Sequence, residues 1–155
     1  MASKGAHSTD TDVVADQIKH ALGMRSLNVR TAVELHDRIA QGLPRSAALR
    51  LVLGLKAVPL KESLRALRIS RRTWDRFKAE PDKPLDVDQS ARVWRMAEIL
   101  VKAEEVLGTQ KEVQSWLTHQ AIGLGSRRPT DLMITPQGAE FVVTLLERMK
   151  RGVYS

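Results

Sequence analysis

Three arginines lie close to a tryptophan and a phenylalanine in the segment SRRTWDRFKAE, residues 70–80. In a helix, at about 100° per residue, Trp74 and Phe77 share one face while Arg72 and Arg76 share another. The segment is therefore predicted to be an amphipathic helix with an aromatic inner face and a basic outer face. Arginine binds phosphates and is the side chain that most often reads guanine, so the outer face has the chemistry of nucleic-acid recognition. An arginine-rich face that contacts only solvent is the alternative.

A second helical pattern lies directly before this segment. Leucines repeat at helical spacing across residues 60–67, and Ser70 is a residue type that commonly caps the start of a helix. Two short helices joined by Arg68 and Ile69 predict a helix-turn-helix, the motif that places its second helix in the major groove of DNA. Because tight turns favour glycine at the place that Arg68 occupies, we expect a looser or irregular turn here.

The helix-turn-helix prediction gives roles to individual side chains. Base-reading residues lie at the start of the second helix, and neighbouring cations bind the DNA backbone. The predicted base-reading residues are Arg71, Arg72, Thr73 and Arg76, and the predicted phosphate-binding residues are Lys61, Arg65 and Arg68. Trp74 and Phe77 are predicted to lie in the core.

The net charge of +7 is unevenly distributed along the 155 residues. Residues 25–80 hold 13 Lys and Arg against five Asp and Glu, whereas residues 81–155 hold ten of each kind. A local excess of positive charge is expected of a module that binds a polyanion, and a charge-balanced module suits contacts with protein. Positive charge that serves only solubility is the alternative.

The fold is predicted to be all-α, because no segment sustains the alternation of apolar and polar residues that strands show. Outside the helix-turn-helix, helical patterns cover residues 12–24, 31–42, 44–54 and 87–107, and two more helices begin at Thr109 and Pro136. Thr109 and Glu112 have the spacing of a capping box. The predicted buried residues are Val33, Leu35 and Ile39 in the 31–42 helix, and Phe141, Val142, Leu145, Leu146 and Met149 in the last helix.

Two prolines in the segment PDKPLD, residues 81–86, end the arginine-rich helix and indicate a linker. The predicted organisation is a flexible N-terminal segment with a short helix at 1–24, a helix-turn-helix module at 25–80, a linker at 81–87 and a second helical module at 88–155. No apolar run approaches the ~20 residues of a membrane span, and no apolar signal core is present. We therefore expect a cytoplasmic protein without a membrane partner.

No residues are arranged for catalysis or metal binding. The chain has no cysteine, and its four histidines, His7, His20, His36 and His119, share no metal-ligand spacing. The segment GLGSRR, residues 123–128, lacks both the Lys-Ser/Thr ending and the preceding strand of a nucleotide-binding loop. We predict a protein that is not an enzyme and holds no cofactor and no metal. The alternative, an enzyme, would need a nucleophile or metal site that these patterns do not supply.

Several sequence marks occur together in the C-terminal part of the chain. VLG ends the long helix, a Trp-Leu pair follows at positions 116 and 117, and LGSRRPTDLM precedes a TPQG helix start and a final ERMKRGVYS. With these marks, residues 88–155 resemble the C-terminal domain of the MbcA/ParS/Xre antitoxins, which accompany RES-domain toxins. Upstream, LRISRRTWDRF resembles the Xre-like helix-turn-helix that these antitoxins carry.

The resemblance implies two activities. The antitoxin neutralises a RES-domain toxin that consumes NAD, and it binds the promoter of its own operon to repress transcription. The resemblance also implies that the C-terminal end approaches the NAD pocket of the toxin. The predicted toxin contacts are Arg148, Arg151, Gly152, Val153, Tyr154 and Ser155, with the last three residues obstructing the entrance to the toxin's active site.

A homo-oligomer, most simply a dimer, is also expected, because one short recognition helix contacts too little DNA for specificity. The alternative function is a stand-alone helix-turn-helix transcription regulator with a C-terminal dimerisation domain. Co-purification separates the two functions, since only an antitoxin brings a toxin with it.

Overall fold

The computed structural model describes residues 10–152, with side chains from Val13 onward, and confirms the prediction of an all-α fold for this part of the chain. In chain order the helices are α1 (Asp10–Ala21), α2 (Ala32–Gln41), α3 (Arg45–Gly54), α4 (Leu60–Leu67), α5 (Arg71–Ala79), α6 (Val87–Leu107), α7 (Gln110–Thr118), α8 (Pro129–Leu132) and α9 (Pro136–Lys150). A short 3-10 turn covers Ile122–Leu124. The first helix ends at Ala21 rather than at the predicted Met24. The part of the predicted flexible N-terminal segment that precedes residue 10 lies outside the described residues.

Side-chain caps fix where the helices begin. The Ser70 hydroxyl accepts a hydrogen bond from the Thr73 amide at 3.1 Å, and Thr135 caps α9 in the same way, with Pro136 at the first helical position. The predicted capping box at Thr109 is only half formed, since Thr109 accepts from the Glu112 amide without a described return bond. A complete capping box instead opens α6, between Asp86 and Gln89.

The turn between α4 and α5 is regular, so the expectation of a loose or irregular turn was wrong. Arg68 takes the left-handed conformation, with φ 55° and ψ 42°, that glycine usually provides. The Ile69 amide donates to the Leu64 carbonyl at 2.9 Å and the Arg68 amide donates to the Arg65 carbonyl at 3.1 Å. These are the two hydrogen bonds of a Schellman motif, and the burial of Ile69 and Leu64 accompanies it. Arginine at this position therefore preserves the tight turn.

The long helix α6 lies at the centre of the fold and contacts α1, α2, α3, α4, α7 and α9. Its inner residues, including Val93, Ala97 and Ile99, are fully buried, and they join the buried side chains of the other helices in one hydrophobic cluster. A single core therefore extends from the helix-turn-helix to the C-terminal helices.

Two predicted core residues are exposed instead. Val33 is 68% exposed on α2, a helix with no fully buried residue, and Phe141 is 46% exposed on α9. The spacing of apolar residues identified the apolar faces of α2 and α9. It could not show how much of each face the neighbouring helices cover. The rest of the apolar side of α9, with Val142 and Leu146, is buried as predicted.

The predicted linker segment packs against the chain before α3. The Leu85 amide donates to the Leu43 carbonyl at 2.7 Å, and the Arg45 amide donates to the Lys83 carbonyl at 2.9 Å. The Leu85 side chain is 3% exposed. Backbone pairing and a buried leucine thus hold the segment between α5 and α6 in place.

Candidate DNA interface and candidate partner surface

The aromatic face of α5 anchors the helix to the core. Trp74 and Phe77 are each 2% exposed, and α5 contacts α3. The guanidinium of Arg45 lies 5.3 Å from the centre of the Phe77 ring and pairs with Glu80 at 3.4 Å, which fixes the end of α5 to the start of α3. Both aromatic residues therefore lie in the core, as predicted.

The outer face of α5 carries the four predicted base-reading residues. Arg71, Arg72 and Arg76 are exposed, and Thr73 is half-buried. Arg71 pairs with Asp75 at 3.6 Å, and Arg76 Nη2 donates to Thr73 Oγ1 at 3.3 Å. No acidic side chain of the described residues pairs with Arg72 or Arg76. These two guanidinium groups can therefore meet phosphates or base edges without breaking an ion pair.

The three predicted phosphate-binding residues have different environments. Lys61 is exposed on α4, and Arg68 is exposed on the turn before α5. Arg65 is 43% exposed, but its guanidinium already bonds to Asp131 on α8 and lies 3.7 Å from Glu62. Lys61 and Arg68 are thus open to an anion, whereas Arg65 also joins the helix-turn-helix to the C-terminal helices.

Arg65 is part of a polar cluster between α4 and α8. Arg128 pairs with Glu62 at 3.3 Å, and Thr130 donates a hydrogen bond to the Leu117 carbonyl at 3.2 Å. The hydrogen bond from Arg65 lowers the pKa of Asp131, and the same bond raises the pKa of Arg65. Sequence reasoning missed this cluster because its two halves lie 66 residues apart and carry no shared local pattern.

The last helix is fixed to α6 by ion pairs along one side. Glu147 pairs with Lys102 at 3.1 Å, and Glu140 pairs with Arg95, also at 3.1 Å. Arg148, Arg151 and Gly152, three of the predicted toxin contacts, are all exposed at the end of the chain's described part. The other three, Val153, Tyr154 and Ser155, lie outside the described residues.

Gly152 takes a left-handed backbone conformation, with φ 73°, and its amide donates to the Met149 carbonyl at 3.1 Å. Glycine adopts this conformation without the steric cost that a Cβ brings, which is why it commonly ends helices. Gly152 therefore has the geometry of a residue that ends a helix.

A groove of about 660 Å³ lies among α1, α2, α6 and α9. Glu98, Lys102 and Glu147 line it together with apolar side chains, and burial raises the pKa of Glu98.

Among residues 10–152, no group of three or more His, Asp or Glu side chains is placed to hold a metal ion. In the same part of the chain, no helix has the length and apolar character needed to cross a membrane.

Comparison with protein families assigns both halves of the chain. Residues 34–98 match the antitoxin Xre-like helix-turn-helix domain, which includes α4 and α5. Residues 102–152 match the antitoxin Xre/MbcA/ParS C-terminal toxin-binding domain, which includes α7, α8 and α9.

Two curated proteins, each named antitoxin Xre, are similar to this chain. The one from Pseudomonas putida is 29% identical over 120 residues, which cover 77% of this chain and 72% of the relative. The one from Yersinia enterocolitica is 31% identical over 100 residues, which cover 64% of this chain and 67% of the relative. The similarity to both relatives extends over most of their length.

Proposed function

Because this chain belongs to the Xre/MbcA/ParS family of antitoxins, we propose that it neutralises a RES-domain toxin that consumes NAD and represses its own operon. The observation that carries this proposal is the division of the chain into two matched domains with different surfaces. The helix-turn-helix domain carries an exposed arginine face on α5, and the toxin-binding domain carries exposed side chains along α9. Antitoxin relatives point to a regulatory protein without catalysis, and we assign this chain no catalytic step.

For the domain organisation, we propose a DNA-binding module at residues 25–80, a linker at 81–87 and a toxin-binding module at 88–155. The excess of positive charge in residues 25–80 suits a surface that neutralises DNA phosphates. The exposed guanidinium groups of Arg72 and Arg76 are the proposed base readers, with Lys61 and Arg68 on the DNA backbone. Arg71, Thr73 and Arg65 complete the proposed surface.

We further propose that operator binding uses a homodimer. One helix of nine residues presents only a few side chains to a major groove, and two-fold symmetric proteins read two-fold symmetric operators. Sedimentation at micromolar concentration measures the oligomeric state, and a strictly monomeric profile would contradict this proposal.

Neutralisation is proposed to act by occlusion of the toxin's active site. Gly152 takes the left-handed conformation that commonly ends helices, and the obstruction of the toxin's active site is assigned to the three residues that follow it in the sequence, Val153, Tyr154 and Ser155. Arg148 and Arg151 are exposed, come shortly before these residues in the sequence and can pair with acidic groups of the toxin. A tyrosine is a frequent anchor in protein interfaces, since its ring buries apolar area and its hydroxyl forms hydrogen bonds.

Truncation after Arg151 tests the occlusion proposal. A RES-domain toxin, the proposed partner, is co-expressed with either the full chain or the truncated chain, and cell NAD and growth are measured. We expect the truncated chain to bind promoter DNA normally, because the removed residues lie far along the chain from α5. We expect it to protect cells poorly, because the residues proposed to obstruct the toxin's active site are missing. Full protection by the truncated chain at the same expression level would move the inhibitory contacts onto the helices.

A further inference from the structure

Two large apolar side chains are exposed on the toxin-binding domain. Of the exposed large apolar residues in the described part of the chain, only Ile122 and Phe141 fall within residues 102–152. Ile122 is 92% exposed and Phe141 is 46% exposed. Single exposed apolar residues are common on protein surfaces. Ile122 and Phe141 therefore suggest a binding surface only if they lie on the same side of the domain.

The fold brings these residues to one side of the domain. Phe141 and Leu145 are one turn apart on the same face of α9. The 122–124 turn packs on this face, since a Cβ built on Gly123 would lie 2.9 Å from the Leu145 Cδ1 atom. Ile122, the neighbour of Gly123, therefore belongs to a turn that lies against Leu145 on α9, and its own side chain remains exposed. We call Ile122, Phe141 and Leu145 the apolar patch.

The turn that carries Ile122 is held in one shape. The Ala121 amide donates to the Arg127 carbonyl at 3.0 Å, and the Ser126 amide donates to the Ala121 carbonyl at 3.0 Å. Leu124, two residues after Ile122, is 1% exposed and anchors the turn in the core. Ser126 has φ 58°, a conformation that residues with a Cβ rarely adopt, and the closed turn maintains it. A partner would bind Ile122 without first having to order the turn.

Two cations lie on the same elements of the fold as the apolar patch. Arg148 follows Leu145 on the same face of α9, and Arg127 closes the turn that carries Ile122. Both arginines are exposed, and neither pairs with an acidic side chain of the described residues. The acidic residues Glu140 and Glu147 instead pair with α6. This part of the domain therefore combines exposed apolar side chains with two arginines that have no acidic partner among the described residues.

We infer that the apolar patch is a docking site for the toxin, an inference that rests on the proposed function. The toxin would present an apolar pocket for Ile122 and Phe141, flanked by carboxylates that pair with Arg148 and Arg127. Charge complementarity of this kind selects a partner and its orientation. A second copy of this chain is less suited to the patch, because a two-fold contact would bring the arginines of both copies together.

Binding to a purified RES-domain toxin, the proposed partner, tests the inference. The double variant Ile122→Ser, Phe141→Ser removes the apolar side chains, and Ile122→Ser alone changes a residue that is almost fully exposed. Val33→Ser is the control, since Val33 is 68% exposed but lies on α2, outside residues 102–152. We expect calorimetry to show a dissociation constant raised about tenfold or more by the double variant and little changed by the control.

Charge variants test the edge of the patch separately. Arg148→Glu should weaken toxin binding more than Arg148→Ala, because reversal adds repulsion from the toxin's carboxylates. If the wild-type chain binds the toxin and both Ile122→Ser and the double variant bind it equally well, the inference is overturned and the proposed function stands. A wild-type chain that does not bind the toxin would overturn the proposed function and the inference with it. Conversion of an oligomer to a monomer by the double variant, with toxin binding unchanged, would assign the patch to a second copy of the chain.

Discussion

At the scale of single residues, α5 separates structural from functional side chains. Trp74 and Phe77 are buried, while Arg72 and Arg76 are exposed and have no acidic partner among the described residues. Helical spacing predicted this division from the sequence, because the two sets lie on different faces of one helix. The ion pair from Arg65 to Asp131 could not be predicted, since it depends on how α4 meets α8.

Removal of the two unpaired arginines tests their proposed contact with base edges. Arg72→Ala and Arg76→Ala should each weaken promoter binding by about 1–3 kcal/mol, the value of a good bidentate contact to a base. Fluorescence anisotropy with promoter DNA at constant salt measures this loss. Lys111→Ala, an exposed cation at the start of α7, is the control and should bind as wild type. If the Arg72→Ala, Arg76→Ala double variant binds promoter DNA as tightly as wild type, α5 is not part of the DNA interface.

At the scale of secondary-structure elements, the turn between α4 and α5 depends on one backbone conformation. A left-handed residue with a side chain costs roughly 1–2 kcal/mol relative to a right-handed one, and glycine avoids this cost but gains freedom in the unfolded chain. Arg68→Gly should therefore raise the free energy of unfolding by up to about 1 kcal/mol. Denaturant unfolding followed by tryptophan fluorescence measures the change. Arg68→Ala retains the steric cost and is the matched control, and equal stability of the two variants would contradict this explanation.

The contact between α4 and α8 has a predictable dependence on pH. The hydrogen bond from Arg65 holds the pKa of Asp131 below its usual value, so ionised Asp131 stabilises the folded state above about pH 4. This stabilisation is lost as the pH falls through the lowered pKa of the folded state. Asp131→Asn should therefore be less stable than wild type at neutral pH, and the difference should shrink in acid.

Thermal unfolding across this pH range provides the measurement for Asp131. Asp82→Asn is the control, because Asp82 is exposed and forms no ion pair among the described residues. If the stability difference between wild type and Asp131→Asn stays constant from neutral to acidic pH, the negative charge of Asp131 does not contribute to the stability of the contact between α4 and α8.

At the scale of the whole molecule, one core supports two surfaces of different character. The arginine face belongs to the domain with excess positive charge, and the apolar patch belongs to a part of the chain with balanced charge. Composition and local spacing predicted the all-α fold and this asymmetry, because both are properties of short segments. The exposure of Phe141 and the packing of residues 81–86 could not be predicted, since both depend on contacts between distant segments.

The proposed neutralisation of an NAD-consuming toxin can be measured on the toxin's own reaction. The most direct measurement is the rate at which the purified RES-domain toxin consumes NAD as the full chain is added in increasing amounts. We expect NAD consumption to fall in proportion to the added chain and to stop near a fixed stoichiometry, because a tightly bound inhibitor closes the active site of each toxin molecule that it binds. A rate of NAD consumption that stays unchanged when the chain is in excess over the toxin would show that the chain does not neutralise this toxin.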